Sequence, residues 1–238
     1  MRIGCAGWSL PAAHKPSFPS PGTHLRRYAA VFDATEINSS FYRPHLRVTY
    51  ERWADSVPEA FRFTVKVPRT ITHERRLRDF EDLLGRFLQE ASGLGAKLGA
   101  LLVQLPPSLA YAEEPVRDFL EGVRARYDGL VALEARHPSW FTEEADALLR
   151  ACDVAGVAAD PGLSKALPTG SRKFAYFRLH GSPRIYYSAY SAEFLKALAG
   201  RLEAEAGKGD VYCIFDNTAE GAAIGDAMTV MNELEGGT

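Results

Sequence analysis

The chain has 238 residues, 46% of them hydrophobic and 24% charged, which is enough apolar material for a sizeable core under a solvated surface. Its 28 basic and 30 acidic side chains leave a formal net charge of -2, which excludes a strong global attraction to nucleic acid or anionic membrane and leaves room only for a local basic patch. The longest nearly apolar run, Leu98 to Leu105, is far too short for a membrane span, and Cys5, Cys152 and Cys213 are too scattered for a metal knot or disulfide scaffold, so reduced thiols, no secretory segment and a cytoplasmic location are expected.

In chain order, a first β-rich run falls near residues 2–6, and Leu25, Tyr28, Ala29 and Phe32 follow at helical spacing. A second run near 34–38 precedes a helix carrying Tyr50, Trp53, Ala54 and Val57, and a third near 61–67 precedes one carrying Phe80, Leu83, Leu84, Phe87 and Leu88. The fourth run, 98–104, leads to Val116, Phe119, Leu120, Val123 and Tyr127, again on one helix face. Further strands are expected near 129–135, 154–159, 174–180 and 211–215. Eight such units in one domain predict a single (βα)8 TIM-like barrel. One unit is reduced: Pro161, Gly162, Pro168 and Gly170 put a loop or single turn between strands 6 and 7 in place of a covering helix. A doubly wound open sheet is the competitor, but no glycine-rich dinucleotide loop follows the first strand, where the chain reads Cys5-Ala6-Gly7-Trp8-Ser9.

Strand side chains alternate between faces, and helices covering a barrel require its outer face to be apolar. In the third strand Phe61, Phe63, Val65 and Val67 alternate with Arg62, Thr64 and Lys66, so the second set points inward; Arg62, at the strand's start, is assigned to structure. The same logic puts Glu36 and Asn38 on one face, then Gln104, then Glu134 with Arg136, Asp160, and Arg178 with His180; Asp216 and Asn217 close the last strand. These polar residues gather at strand C-termini, where barrel enzymes build their sites. Burying them together costs several kcal/mol each unless they pair, so a purely structural core would be better served by Leu and Val.

His180 titrates near neutral pH and is the leading general acid/base, with Glu36, Glu134 and Asp216 as the other catalytic candidates. Lys66, Arg136 and Arg178 come from different strands and could converge on an anion. The loops opening with His180-Gly181-Ser182 and Asn217-Thr218 occupy the positions where barrels often hold phosphate. Tyr42, Tyr187 and Tyr190 suit stacking on a base or sugar, and with Asn38, Lys66, Gln104, Arg136, Asp160, Arg178 and Asn217 they complete the expected substrate-binding set. No metal ligands are assigned, since only His180 among the six histidines sits clearly at an inward strand end; a single oxygen-ligated Mg²⁺ or Mn²⁺ is the alternative, and a three-zinc site is not expected. There is neither a Gly-x-Ser-x-Gly elbow nor a P-loop.

Several strings resemble the family known as domain of unknown function 72. They are Glu36-Ile37-Asn38 with Phe41-Tyr42, Lys66-Val67-Pro68-Arg69 with Thr72-His73, Gln104-Leu105-Pro106-Pro107, Glu134-Ala135-Arg136-His137-Pro138-Ser139-Trp140, Arg178-Leu179-His180-Gly181 and Phe215-Asp216-Asn217-Thr218. The resemblance implies a TIM barrel with a polar site at the strand ends and an unassigned activity. Ala135 departs from the aromatic expected there, and Asp216 stands where the family more often has Asn. The functional expectation is an enzyme acting on a small polar or anionic, sugar- or phosphate-bearing substrate without a tightly bound organic cofactor. The alternatives are a non-catalytic barrel for nucleic acid or a phosphate ligand, and an endonuclease IV-like phosphodiesterase. No membrane partner is expected.

Overall fold

The structure is a computed structural model and describes residues 1–160, 168–171 and 173–236. Its strands are β1 (Arg2–Ala6), β2 (Ala34–Ile37), β3 (Arg62–Lys66), β4 (Leu98–Gln104), β5 (Leu130–Glu134), β6 (Ala155–Gly156), β7 (Ala158–Ala159), β8 (Thr169–Gly170), β9 (Phe174–Leu179) and β10 (Asp210–Phe215). Parallel pairing runs β9-β10-β1-β2-β3-β4-β5-β6, with β7 on the far edge of β9. β6 and β7 are two halves of one stave broken at Val157, whose N–H still reaches Leu133 O at 2.9 Å, so the ring closes through their covalent continuity. This is the expected barrel, with its sixth strand split in two.

Helices α1 (His24–Tyr28), α2 (Ser39–Tyr42), α3 (Arg47–Asp55), α4 (Glu81–Ala91), α5 (Glu113–Arg124), α6 (Glu143–Ala151), α7 (Ala192–Ala206) and α8 (Ala222–Gly236) connect the staves. The sequence accounts for their ends. Thr142 and Ser191 cap α6 and α7 by accepting from Ala145 N and Phe194 N, and Glu113 and Glu114 sit in the first turn of α5, where the helix dipole favours negative charge. Val116, Phe119, Leu120 and Val123 form the buried stripe of α5. The helix expected to carry Leu25 through Phe32 ends its regular part at Tyr28 and only turns on to Phe32. The reason is local: the Tyr28 hydroxyl bridges Cys5 N (2.7 Å) and Ala34 O (3.0 Å), pinning this helix to the β1–β2 seam.

The reduced sixth connection falls largely on residues 161–167, outside the described residues; of the rest, β8 pairs antiparallel with β6. Inside the barrel, Ala100, Leu102, Ala132 and Ala155 face Phe174, Tyr176, Tyr212 and Ile214 in one apolar cluster. Small residues on one wall admit the aromatics of the other, and Tyr176 stacks on Tyr212 with centroids 5.9 Å apart. That plug fills the lower half. Among the described residues no helix is long and apolar enough to cross a membrane, and all three cysteines are free and buried.

Candidate active site at the barrel mouth

Strand alternation continues above the plug and changes character. On β9, Tyr176, Arg178 and His180 follow one another at two-residue spacing on the inner face, each one pleat closer to the mouth. The Tyr176 hydroxyl donates to Glu36 Oε2 (2.8 Å) and lies 2.8 Å from Thr64 Oγ1. Arg178, fully buried, donates through Nε to both Glu36 oxygens (3.1 Å each) and through Nη2 to Glu36 Oε1 (2.8 Å). Its Nη2 also stands 2.8 Å from Asp216 Oδ2, and its Nη1 donates to Glu134 Oε2 at 3.0 Å. One guanidinium thus bridges carboxylates from three staves.

Glu134 links this layer to the next. Its Oε1 accepts from Gln104 Nε2 (2.9 Å) and Arg136 Nε (2.8 Å) and lies 3.3 Å from His180 Nε2. Burial alone would raise its pKa, but Arg178, His180 and Arg136 outweigh burial and hold it well below the usual carboxylate range. Asp216 is lowered for the same reasons: Arg178 and the His180 bond win over desolvation. Asp216 Oδ2 sits 3.1 Å from His180 Nδ1, and Asn38 Nδ2 donates to its Oδ1 at 3.2 Å. The end of the last strand therefore turns Asp216 inward.

His180 Nε2 lies 3.0 Å from Arg136 Nη2, a donor, as well as 3.3 Å from Glu134, an acceptor. A neutral ring donating through Nδ1 to Asp216 accepts from Arg136; a protonated ring donates to Glu134 and repels Arg136. Desolvation disfavours the cation, yet hydrogen bonds to Asp216 and Glu134 outweigh it and raise the His180 pKa. The imidazole is buried beneath Arg136 and Tyr186, whose ring meets it edge-on at 5.5 Å.

The remaining cation differs. Lys66, at the end of β3, is 6% exposed, with its Nζ over the Phe41 ring at 4.1 Å. Among the described residues it has no carboxylate within ion-pair distance, unlike Arg136 and Arg178. Burial, and then the charge of Arg178, push its pKa down to about 8 against the pull of Glu36, Glu134 and Asp216.

Ten of the fourteen residues expected from sequence fall into or beside this cluster: Glu36, Asn38, Lys66, Gln104, Glu134, Arg136, Asp160, Arg178, His180 and Asp216. Asp160 sits at its edge, where Oδ1 accepts from His180 N (2.5 Å) and the other oxygen takes the Tyr190 hydroxyl. Four lie elsewhere. Tyr190 is buried and stacks on Phe194 at 4.5 Å, Tyr187 lies 3.6 Å beneath the Arg184 guanidinium, and Tyr42 is 72% exposed beside a 190 Å³ cavity that Arg86 and Phe87 also line. Asn217 donates to Ser188 O (3.0 Å) and Asp226 Oδ2 (2.6 Å). The backbone N–H groups of the two loops paired for phosphate are already used: Gly181 N donates to the Tyr190 hydroxyl (2.5 Å), and Ala219 N donates across to Tyr186 O (3.0 Å). Gly181 has φ +96°, and a Cβ there would meet Ser188 O at 2.6 Å, so the sharp turn after His180 demands glycine.

Sequence reading missed Tyr176 and Asp226. Tyr176 was findable, because it precedes Arg178 by two on the same face; Asp226 lies in an apolar helix with no signal to mark it. Of the arginines in the 69–78 loop, Arg69 pairs with Glu74, Arg75 with Asp79, and Arg76 donates to Ser108. Among the described residues no group of three or more His, Cys, Asp or Glu is placed to hold a metal ion.

The family described as "Protein of unknown function DUF72" matches residues 2–238. The chain belongs to the DUF72 family. It is 32% identical over 158 residues to the UPF0759 protein YecE of Escherichia coli (strain K12), covering 65% of this chain and 56% of that protein. With the UPF0759 protein YunF of Bacillus subtilis (strain 168) it shares 29% over 146 residues, 59% of this chain and 52% of that one. The chain spans about half the length of these curated relatives. A crystal structure of a DUF72 family protein from Thermotoga maritima MSB8 superposes with a TM-score of 0.84 at 28% identity, covering 98% of both chains. A DUF72 family protein from Enterococcus faecalis V583 shares the fold, with a TM-score of 0.82 at 21% identity over 98% of this chain and 95% of that one. The polar strand ends described above thus belong to a DUF72 barrel.

Proposed function

We propose that this chain is an enzyme acting on a small polar, anionic substrate, sugar- or phosphate-bearing, held at the C-terminal end of the barrel without a tightly bound organic cofactor. The observation that carries this reading is the uneven use of charge. Glu36, Glu134 and Asp216 are all committed to Arg178, while among the described residues Arg136, its side chain 24% exposed, shares a single carboxylate, and Lys66 has none at ion-pair distance. Arg136 and Lys66 are thus the cations of the mouth with coordination to spare, and a bound anion supplies what they lack. Arg136 grips it, His180 moves a proton between substrate and site, and Asp216 orients the ring through Nδ1. Arg178 has its nitrogens committed to Glu36, Glu134 and Asp216 and serves to hold those carboxylates in place.

The test is thermal unfolding in phosphate or sulfate against chloride at equal ionic strength. At tenfold over Kd, linkage gives about 1.4 kcal/mol, or a rise of about 3–6 °C. Arg136→Gln should remove the rise. An equal Tm in all three salts for the parent protein would overturn the reading. Binding of single-stranded nucleic acid without turnover of any small anionic substrate would favour the non-catalytic alternative, for which exposed Tyr42 and Phe141 supply aromatic surface.

A further inference from the structure

We propose that Lys66 is a carbonyl-capturing nucleophile, whose Nζ forms an imine with an aldehyde or ketone group of the substrate admitted at the barrel mouth. This rests on the reading of the mouth as a substrate site and names the substrate class: an anionic carbonyl compound.

Four features single Lys66 out. It ends a barrel strand with its side chain inward, where a bound molecule meets the staves. Its amine lies over the face of Phe41 at 4.1 Å, with no carboxylate at ion-pair distance among the described residues. The carboxylates that could have paired with it, Glu36, Glu134 and Asp216, converge instead on Arg178 from three other staves. Finally, a guanidinium is its neighbour in the site, and desolvation beside a cation is the arrangement that keeps an amine in its free, nucleophilic form. The amine's lowered proton affinity, to about 8, agrees with this. The charged groups acting on it are Glu36 from β2, Glu134 from β5, Arg178 from β9, Asp216 after β10, and His73 from the turn at Thr70–Glu74.

The chemistry balances without an added oxidant or reductant. The Nζ lone pair forms a bond to the carbonyl carbon, and the carbonyl oxygen becomes a hydroxyl as it takes a proton. The carbinolamine then loses that oxygen as water, both hydrogens coming in net from the amine. The proton that the departing hydroxyl takes up is matched by the one the nitrogen gives up.

The experiment is reductive trapping with cyanoborohydride at pH 8, using glycolaldehyde as the neutral probe and glyoxylate as the anionic one, followed by peptide mapping. The chain's seven lysines make the other six internal controls. The adduct on Lys66 should exceed that on each other lysine by at least about tenfold, because about half of Lys66 but well under about 1% of an ordinary lysine is free amine at that pH. Lys66→Arg, keeping the charge, should abolish trapping at this position. If that variant does not fold, the map of the parent protein decides by itself. Labelling of Lys66 no stronger than the mean of the other lysines overturns the proposal. Trapping at Lys66 that does not favour glyoxylate supports the imine and overturns only the anionic preference. Stabilisation by phosphate with Lys66 unlabelled overturns the imine and leaves the anion site standing.

Discussion

Arg178 and Lys66 both point into the barrel, and they sit in opposite circumstances. Around Arg178 every polar valence is matched: Glu36 takes it on both oxygens, Glu134 and Asp216 take its outer nitrogens, and Tyr176 with Thr64 closes the network beneath. Around Lys66 the amine rests on a ring and faces the mouth with donors to spare. A saturated buried network rigidifies a core, whereas a buried charge without a partner costs stability and persists where it has other work. The floor positions the site, and the rim does its chemistry.

Removing the floor's central cation should have the largest effect. Arg178→Met leaves Glu36 buried without its guanidinium and Glu134 and Asp216 short of one, so a loss of about 3–5 kcal/mol in a denaturant titration at pH 7 is expected. A change below about 1 kcal/mol would show that water or protons replace the guanidinium freely, and would dissolve the contrast between floor and rim. Glu134→Gln comes next. From sequence alone this substitution is expected to cost little, because an open pocket would let water solvate Arg136. The structure buries Glu134 and gives its Oε1 two donors and its Oε2 a third, so a glutamine must turn its NH₂ toward either Gln104 and Arg136 or Arg178. Arg178 keeps Glu36 and Asp216, which limits the loss to about 2 kcal/mol. The same titration distinguishes the two.

The barrel was legible because the alternation of Phe63 and Val65 with Thr64 and Lys66 fixes which face meets the helices, and the same period placed Glu36, Arg178 and His180 inside. Division of labour within the cluster was not legible. Sequence puts Lys66, Arg136 and Arg178 on equal footing as anion ligands, since nothing in a strand's period reveals which cation collects the carboxylates of other staves. The rim loops were harder still. Tyr190 reads like a stacking platform and instead packs on Phe194 while its hydroxyl meets Gly181 N, because a loop has no periodicity to say which way a side chain turns.

A smaller effect isolates His180. Its pKa is raised in the folded protein, so the imidazolium adds stability that is fully present below the unfolded value near 6.5 and is lost as pH rises through the folded value. His180→Gln should flatten the stability profile above about pH 6.5 relative to the parent. A parent profile parallel to that of the variant across this window would mean that Arg136 keeps the ring neutral.

The smallest expected change belongs to the rim itself. Lys66 is charged in the unfolded chain up to about pH 10.4, but in the folded protein it gives up its proton near 8. Between those values the unfolded state holds more protons, so stability rises with pH; below them the buried ammonium is a constant cost. Lys66→Met removes that cost and fills nearly the same volume against Phe41, while the three carboxylates retain Arg178. The variant should therefore match the parent at pH 7 or exceed it by up to about 1 kcal/mol. Its advantage should shrink from pH 8 to 10, where other titrating groups cancel between the two proteins. A loss of several kcal/mol on Lys66→Met, constant with pH, would place Lys66 in the floor with Arg178, as a structural counter-ion whose partners are the same carboxylates.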